Sequence, residues 1–310
     1  HGINETPGKM KSFAQELRNA YPEAYVIGSL MSGHGSLPAD MLSANHEQWI
    51  TMCHQSVDWL ANQVDQVILV GFSTGGALAV HHAATQPNPK VAGLILFAPA
   101  IHVQLPFYAS KFLKHICPFV SILPQKSPFS YGAITYQSAS EVLQLSEKIP
   151  KDKKLDIPVM CIISEADEAI DVGKTKEYFH RKCSHQSSKC VIYGDHKQAD
   201  IDDSRIDYMH NQELLAKYQT LNVAHIAMVI PPTDPYFGYL RQGADFRLYV
   251  SLGLTSPTDT PKDQWVYGSA SSFYHKRYHQ AYAIGSFNPY FKETFRELRM
   301  FCDALVSEQT

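Results

Sequence analysis

Short apolar, β-branched runs alternate with stretches of helical periodicity along much of the chain. Most runs are followed by a turn and then by helical sequence, the order expected of βαβ units. Strands are predicted at 24–30, 66–71, 91–99, 157–164 and 189–194, and helices at 44–63, 75–86, 171–183 and 289–306. We therefore expect an α/β fold with a mostly parallel sheet and helices on both faces.

Two stretches interrupt this alternation. Residues 102–150 are rich in aromatic residues and prolines and stand between two predicted strands, so we expect a cap or lid inserted over a pocket. Residues 232–285 contain many turn residues and several tyrosines, and a polar connection lies near 196–218. Both are expected to be surface insertions in a core made of residues 1–101 and 151–310.

The composition is that of a globular chain. Of its 310 residues, 45% are hydrophobic and 18% are charged, and the net charge is −3. No run of Lys and Arg is interleaved with aromatic residues, so we expect no nucleic-acid partner. No apolar stretch reaches about 18 residues, so we expect a soluble chain without a membrane span. The sequence leaves the oligomeric state and the location open, with the cytoplasm favoured.

The six cysteines contain no CxxC pair and the fifteen histidines are scattered, so we expect neither a metal site nor another cofactor. Cys183 and Cys190 bracket a polar loop and are either free thiols or partners in a small disulfide. Free thiols in a reducing compartment are the favoured interpretation.

The stretch VILVGFSTGGALAVHHAA at 67–84 combines a predicted strand, a G-x-S-x-G pattern and a predicted helix. In this context the pattern predicts a sharp turn that holds Ser73 above the sheet edge, with Gly71 and Gly75 leaving room for strand and helix. The helix N-terminus and the backbone N–H of Thr74 favour negative charge on a bound carbonyl. These residues predict a nucleophilic serine beside one donor of an oxyanion hole.

A serine hydroxyl needs a histidine base and a carboxylate that orients this base. Four acidic residues follow the strand predicted at 157–164, namely Glu165, Asp167, Glu168 and Asp171. Asp167 is the preferred acid because it lies a short turn beyond the strand. Asp171 suits the N-cap of the next helix, and Glu165 is the alternative acid.

Two histidines are candidates for the base. His196 directly follows the strand predicted at 189–194, but its neighbours resemble those of an exposed surface. His225 follows a polar connection and has apolar neighbours that could fix the imidazole. The residues alone leave this choice open.

Five segments, spread in order over most of the chain, are HGINETPGKMKSFAQEL (1–17), SGHGS (32–36), GFSTGGALA (71–79), ADEAID (166–171) and AHIAMVIPPTDPYFG (224–238). Together they resemble the α/β-hydrolase fold serine esterases, in particular the branch of carboxylesterases and monoacylglycerol-lipase-like enzymes. The resemblance implies a triad of Ser73, Asp167 and His225. It also implies an oxyanion hole formed by the backbone N–H groups of Ile3 and Thr74.

In that family the HG pair ends a strand that other strands precede. This sequence starts on the pair His1-Gly2, so we expect two or three early strands to be missing from it. His34 matches a structural loop of the family, and we interpret it as part of a turn rather than as a catalytic residue.

These features predict a serine hydrolase that cleaves carboxylic esters through an acyl-enzyme and without a cofactor. The apolar segment 102–150 and the resemblance favour a medium or long acyl ester as substrate, such as a monoacylglycerol or a lysophospholipid. Candidates for substrate contact are Phe107, Phe112, Leu113 and Phe119. The alternatives are a thioesterase or amidase with the same triad, and a non-catalytic binding protein on a hydrolase scaffold.

Overall fold

The computed structural model describes residues 1–122, 128–131, 133–195, 201–240, 248–249, 263, 265–269, 282–284 and 287–307. The strands found there are β1 (Val67–Phe72), β2 (Val91–Phe97), β3 (Phe119–Ile122), β4 (Ala133–Thr135), β5 (Val159–Ser164), β6 (Lys189–Tyr193), β7 (Ile206–Met209), β8 (Leu248–Tyr249), β9 (Val266–Gly268) and β10 (Tyr282–Ile284). The largest sheet contains five of them in the order β1-β2-β5-β6-β7, and every neighbouring pair is parallel.

The α-helices in the same residues are α1 (Lys11–Ala20), α2 (His46–Ala61), α3 (Thr74–Thr85), α4 (Leu105–Leu113), α5 (Tyr136–Lys148), α6 (Val172–Lys182), α7 (Gln212–Lys217) and α8 (Phe291–Ser307). Short 3-10 helices cover Pro7–Met10, Pro38–Leu42 and His225–Ala227. The α/β class and the mostly parallel sheet predicted from the sequence are confirmed, and four of the five predicted strands appear within three residues of their expected ends.

The helices cover both faces of the sheet. On one face α1 and α8 meet, where the ring of Phe13 packs edge-on against those of Phe291 and Phe295. On the other face α2, α3 and α5 pack together. All seven residues of β2 are buried between these layers, which explains its uninterrupted apolar sequence.

The strand expected at 24–30 is wrong. These residues form no strand, and Tyr25, Ile27 and Leu30 expose about half or more of their surface, at 71%, 50% and 49%. Alternating apolar residues form a strand only when a neighbouring strand accepts their backbone hydrogen bonds. Within the described residues no strand pairs with this run, nor with the outer edge of β1.

The segment 102–150 contains α4, the antiparallel pair of β3 and β4, and α5. Helix α5 buries Val142, Leu143 and Leu145 and packs on α2 and α3, so this part of the insertion belongs to the body of the fold.

The polar connection near 196–218 also contributes to the main sheet, because β7 lies within it as an edge strand. Such an edge tolerates polar residues, and Asp207 on β7 pairs with Lys189 on β6 at 2.8 Å. The described parts of 232–285 include a second sheet of three short strands, in the order β8-β10-β9. Its pattern of turn residues gave no sign of this pairing.

Two further expectations concern thiols and membranes. Cys183 and Cys190 are both buried and both free, as the simpler interpretation of their spacing predicted. None of the helices in the described residues has the length and apolar character needed to cross a bilayer.

Histidines form a partly buried cluster between α2 and α3. The Nδ1 atoms of His54 and His82 lie 2.6 Å apart, so one ring donates a hydrogen bond and the other accepts it. Within the described residues the Nε2 atom of His82 has no hydrogen-bond partner. Burial, followed by the charge of His54, lowers the pKa of His82 to about 4. The lowered pKa keeps His82 neutral near pH 7, so its ring can take part in this contact without a buried charge.

The cluster makes the fold sensitive to acid. Between pH 6.5 and about 4 the unfolded chain binds a proton at His82 that the folded chain does not bind, so the free energy of unfolding falls as the pH falls through this window. We expect the variant His82→Gln to lose less stability between pH 7 and pH 4.5 than the wild type, as measured by urea unfolding at each pH. The exposed-site control His115→Gln should keep the wild-type pH dependence, and an equal dependence in both variants would contradict the assignment.

Candidate active site

Ser73 occupies the turn between β1 and α3 with a strained backbone. Its φ and ψ angles are 53° and −113°, a combination that L-residues adopt only at an energetic cost of about 1–3 kcal/mol. The Ser73 N–H donates to the carbonyl of Phe97 at 2.9 Å, and the Ser73 carbonyl accepts from Ala77 and Ala100. The chain therefore holds this residue in place from three directions.

Two glycines make the turn sterically feasible. A Cβ atom at Gly71 would lie 2.5 Å from the carbonyl oxygen of Gly75. One at Gly75 would lie 2.9 Å from the backbone nitrogen of His1. Neither distance leaves room for a side chain, which is the physical reason for the G-x-S-x-G pattern at this turn.

The structure brings Ser73, His225 and Asp167 into one hydrogen-bonded chain. His225 Nε2 lies 3.0 Å from Ser73 Oγ, and His225 Nδ1 lies 2.7 Å from Asp167 Oδ2. Because an ionised carboxylate only accepts hydrogen bonds, Nδ1–H donates to Asp167 and Nε2 is the atom that accepts from the serine hydroxyl. This arrangement leaves the imidazole ready to receive the serine proton.

The loop after β5 holds the Asp167 carboxylate in a fixed orientation. Asp167 is 5% exposed, and its Oδ1 accepts from the backbone N–H groups of Ala169 and Ile170 at 2.8 and 3.0 Å. The other oxygen is thereby left for His225. Asp171 caps α6 through Lys174 N–H, as expected, and Glu165 instead accepts from Asp195 N–H.

The electrostatic surroundings favour a charged His225. Burial lowers the pKa of this imidazole, but the charge of Asp167 and the hydrogen bond to it outweigh burial, and Glu5 adds to their effect. The net result is a pKa above the ordinary value of 6.5. The other candidate base, His196, lies outside the described residues.

The predicted oxyanion donors lie on two segments that a hydrogen bond joins. Thr74 is the first residue of α3, so its N–H has no acceptor within the helix. The segment that carries Ile3 is tied to the same helix end, because the Gly75 N–H donates to the carbonyl of His1 at 3.1 Å.

His34 shapes the segment that carries Ile3. Its Nδ1–H donates to the carbonyl of Ser32, and its Nε2 accepts from the N–H of Asn4, each at 3.1 Å. Burial lowers the pKa of His34 to about 4, so the ring stays neutral and can accept. Asn4 itself has a φ of 60°, a turn conformation that asparagine tolerates better than most residues. His34 is a loop residue, as interpreted from the sequence, but it also supports the site.

Ser164 connects the loops of the acid and the base, a role that sequence reasoning missed. Its hydroxyl donates to the carbonyl of Val223 at 2.7 Å and accepts from the N–H of Ala166 at 3.2 Å. It is fully buried at the end of β5. Its position as the last residue of an apolar strand was the only available signal.

The four candidates for substrate contact differ in placement. Phe112 on α4 is 69% exposed and faces solvent. Phe107 on the same helix is partly buried against the core. Leu113 and Phe119 are half-buried. Their role in substrate contact stays a prediction.

The chain is similar in sequence and in fold to known proteins. A family model described as serine aminopeptidase, S33, matches residues 1–131. A thermostable monoacylglycerol lipase from Bacillus sp. (strain H-257) is 23% identical over 198 residues, which cover 58% of this chain and 73% of the lipase.

Solved structures show the same fold. A structure of the metagenome-derived lipolytic enzymes LipS and LipT aligns with a TM-score of 0.55 at 18% identity, covering 63% of this chain and 81% of its own. The monoacylglycerol lipase of Paleococcus ferrophilus aligns with a TM-score of 0.51 at 18% identity, covering 62% of this chain and 81% of its own. The α/β-hydrolase fold and the resemblance to monoacylglycerol-lipase-like esterases are confirmed.

The steric account of the turn at Ser73 can be tested with a matched pair of glycine variants. Gly71→Ala should lower the free energy of unfolding by about 2 kcal/mol or more, because the new Cβ has no space. Gly173→Ala, near the start of α6, meets only Asp171 Oδ1 at 3.7 Å and should raise stability by roughly 0.5–1 kcal/mol. Chemical denaturation of both variants checks this, and equal effects would contradict the steric account of the turn.

Proposed function

We propose that Ser73, His225 and Asp167 hydrolyse a carboxylic ester through an acyl-enzyme. The observation that carries this proposal is the continuous hydrogen-bond chain from Ser73 Oγ through the imidazole to a buried carboxylate. A chain of this kind converts a weakly acidic hydroxyl into a nucleophile.

In the first step Ser73 Oγ attacks the ester carbonyl while its proton moves to His225 Nε2. Asp167 accepts a hydrogen bond from Nδ1–H throughout and stabilises the imidazolium that forms. Burial lowers the pKa of His225, but the charge of Asp167 and the hydrogen bond to it raise this pKa by more, so the net shift is upward. The Asp167 carboxylate therefore stabilises the imidazole most strongly in the transition state, where the imidazole is becoming positively charged.

Negative charge develops on the carbonyl oxygen in the same step. We assign its stabilisation to the backbone N–H groups of Ile3 and Thr74, supported by the free helix end and by the bond from Gly75 to His1. The tetrahedral intermediate then collapses as His225 donates its proton to the leaving alcohol. A water molecule repeats the cycle on the acyl-enzyme and returns Ser73 to its starting form.

The proposed substrate is an ester with a medium or long acyl chain, such as a monoacylglycerol or a lysophospholipid. The support is the apolar insertion 102–150, which we propose acts as a cap, together with the likeness to a monoacylglycerol lipase. Phe107, Leu113 and Phe119 are partly buried in this insertion and are proposed to contact the acyl chain. Phe112 would contact a lipid only at the outer face, since its ring faces solvent.

An amide or thioester substrate is the second candidate. The description of the matching family model as a serine aminopeptidase is the observation that favours amide cleavage. Relative kcat/KM values for matched p-nitrophenyl esters, acyl-CoA thioesters and p-nitroanilides decide between these substrate classes.

Triad variants test the proposed mechanism. Ser73→Ala and His225→Ala should each lower kcat by about 10³-fold or more, and Asp167→Asn by a comparable factor, because each removes part of one proton-transfer unit. A fluorophosphonate probe should label the wild type and leave Ser73→Ala unlabelled. His196→Ala is the matched histidine control and should stay close to wild type; loss of activity in it with retention in His225→Ala would assign the base to His196.

Acyl-chain dependence tests the proposed cap. Each buried methylene contributes roughly 0.8 kcal/mol, so kcat/KM for p-nitrophenyl esters should rise from acetate toward longer chains until the pocket is full. Phe107→Ala and Leu113→Ala should flatten this rise and leave acetate hydrolysis nearly unchanged. The exposed-ring variant Phe112→Ala is the control on the same helix. A wild-type profile that peaks at acetate would exclude the long-chain proposal and leave a small-ester carboxylesterase.

A further inference from the structure

We propose that Glu5 is a positioning residue for the base: its buried carboxylate supplies a second negative charge that stabilises the protonated imidazole of His225. This inference rests on the proposed function, since it assigns Glu5 a role in the same reaction. It also extends that function to a residue that does not touch the reacting atoms.

Glu5 is unusual because its carboxylate is buried and only one of its two oxygens has a partner among the described residues. It is 6% exposed, and its Oε1 pairs with the ammonium group of Lys9 at 2.5 Å. Within the described residues its Oε2 has no hydrogen-bond partner. Withdrawing a carboxylate oxygen from water without a partner is costly, so this buried oxygen needs a structural or functional explanation.

The unpaired oxygen, Oε2, lies close to Phe72, the residue that precedes Ser73. A Cβ atom at Gly2 would meet Glu5 Oε2 at 2.9 Å and the ring of Phe72 at 3.0 Å, so both groups border the same small space next to Gly2. Phe72 directly precedes Ser73, and its ring centroid lies 5.2 Å from that of His225. The carboxylate of Glu5 and the imidazole of His225 therefore both lie close to the ring of Phe72.

Lys9 fixes the position of this charge. It is 3% exposed, and its ammonium group lies 5.4 Å from the ring centroid of Phe237, in the segment that follows His225. The ion pair therefore links the N-terminal segment to the segment of the base. Glu5 raises the pKa of His225 more than Lys9 lowers it. The net effect of the Glu5–Lys9 pair on His225 is therefore that of a negative charge, which stabilises the protonated imidazole.

The charged groups that face His225 come from two parts of the described structure. Asp167, on the loop after β5, contacts Nδ1 directly. Glu5 and Lys9, on the N-terminal segment, act without contact. Asp167 fixes the tautomer and the ring orientation, whereas Glu5 can only contribute its charge. That difference separates the two carboxylates experimentally.

The test is the pH dependence of the variant Glu5→Gln, which removes the charge and keeps the shape. The acid limb of kcat/KM reports protonation of the base in the free enzyme. Loss of a stabilising negative charge should move this limb to lower pH by roughly half to one unit. The plateau value should fall about threefold to tenfold, the factor that corresponds to the same shift.

A direct titration gives a readout that does not depend on activity. The His225 imidazole can be followed by NMR in the wild type and in Glu5→Gln, with His225→Gln used to assign its signal. The pKa should be lower in Glu5→Gln. An inactive wild type would contradict the proposed function, while this titration would still decide whether Glu5 and His225 interact.

Two further variants separate the charge effect from loss of stability. Glu5→Gln leaves Lys9 buried beside an amide, so the double variant Glu5→Gln/Lys9→Gln serves as the form without either charge, and its acid limb should move in the same direction by a smaller amount. Glu141→Gln is the matched control, because Glu141 is also buried, at 4% exposure, and accepts from His46 on α2. It should lose stability without moving the acid limb. An unchanged limb and an unchanged His225 pKa in folded Glu5→Gln or in the double variant would overturn the proposal.

Discussion

The strained turn at Ser73 is the constraint on which the site depends. A positive φ at a non-glycine residue is disfavoured, and here it is maintained by backbone hydrogen bonds to Phe97, Ala77 and Ala100. These partners lie on β2, on α3 and in the turn after β2, so the strain is supported by the same sheet and helix packing that forms the core. The turn also fixes the direction of α3, whose first N–H groups become available to a ligand. Nucleophile, helix end and HG segment are consequently positioned by one local conformation.

The other two members of the chain are brought to the turn by the topology of the sheet. Because parallel strands end at the same edge of the sheet, the loop after β5 places Asp167 beside the Ser73 turn that follows β1, two strands away. His225 lies in a 3-10 helix outside the regular strands and needs separate support. Ser164 anchors the residues before it, and the fully buried Asn288 donates to the carbonyl of Met228 after it. The base is therefore held at both ends of its loop by buried polar contacts.

Local constraints were predictable from the sequence, and distant ones were not. The turn at Ser73 was predicted because Gly71 and Gly75 are steric requirements of one short, local conformation. The strand at 24–30 was wrongly predicted because its pattern contains no information about a pairing partner. The choice between the two histidines needed the resemblance, since 58 residues separate His225 from Asp167. Glu5 and Ser164 were missed because a charged residue in a polar stretch and a serine at a strand end are ordinarily exposed or structural.

Histidine acts in this molecule both as a neutral structural contact and as the proposed catalytic base, and the neighbouring charges determine which role each residue has. In the part of the chain that the structure describes, His34 and His82 are buried and no carboxylate is hydrogen-bonded to them. Burial, the largest effect on each, lowers their pKa values to about 4 and keeps them neutral as structural contacts. For His225 the charge of Asp167, with a smaller contribution from Glu5, reverses the effect of burial and raises the pKa. As the pH falls, the base is therefore protonated before the structural histidines are. Protonation of the base and the loss of stability are separated in pH because His225 has a carboxylate hydrogen-bond partner, whereas His34 and His82 have none among the described residues.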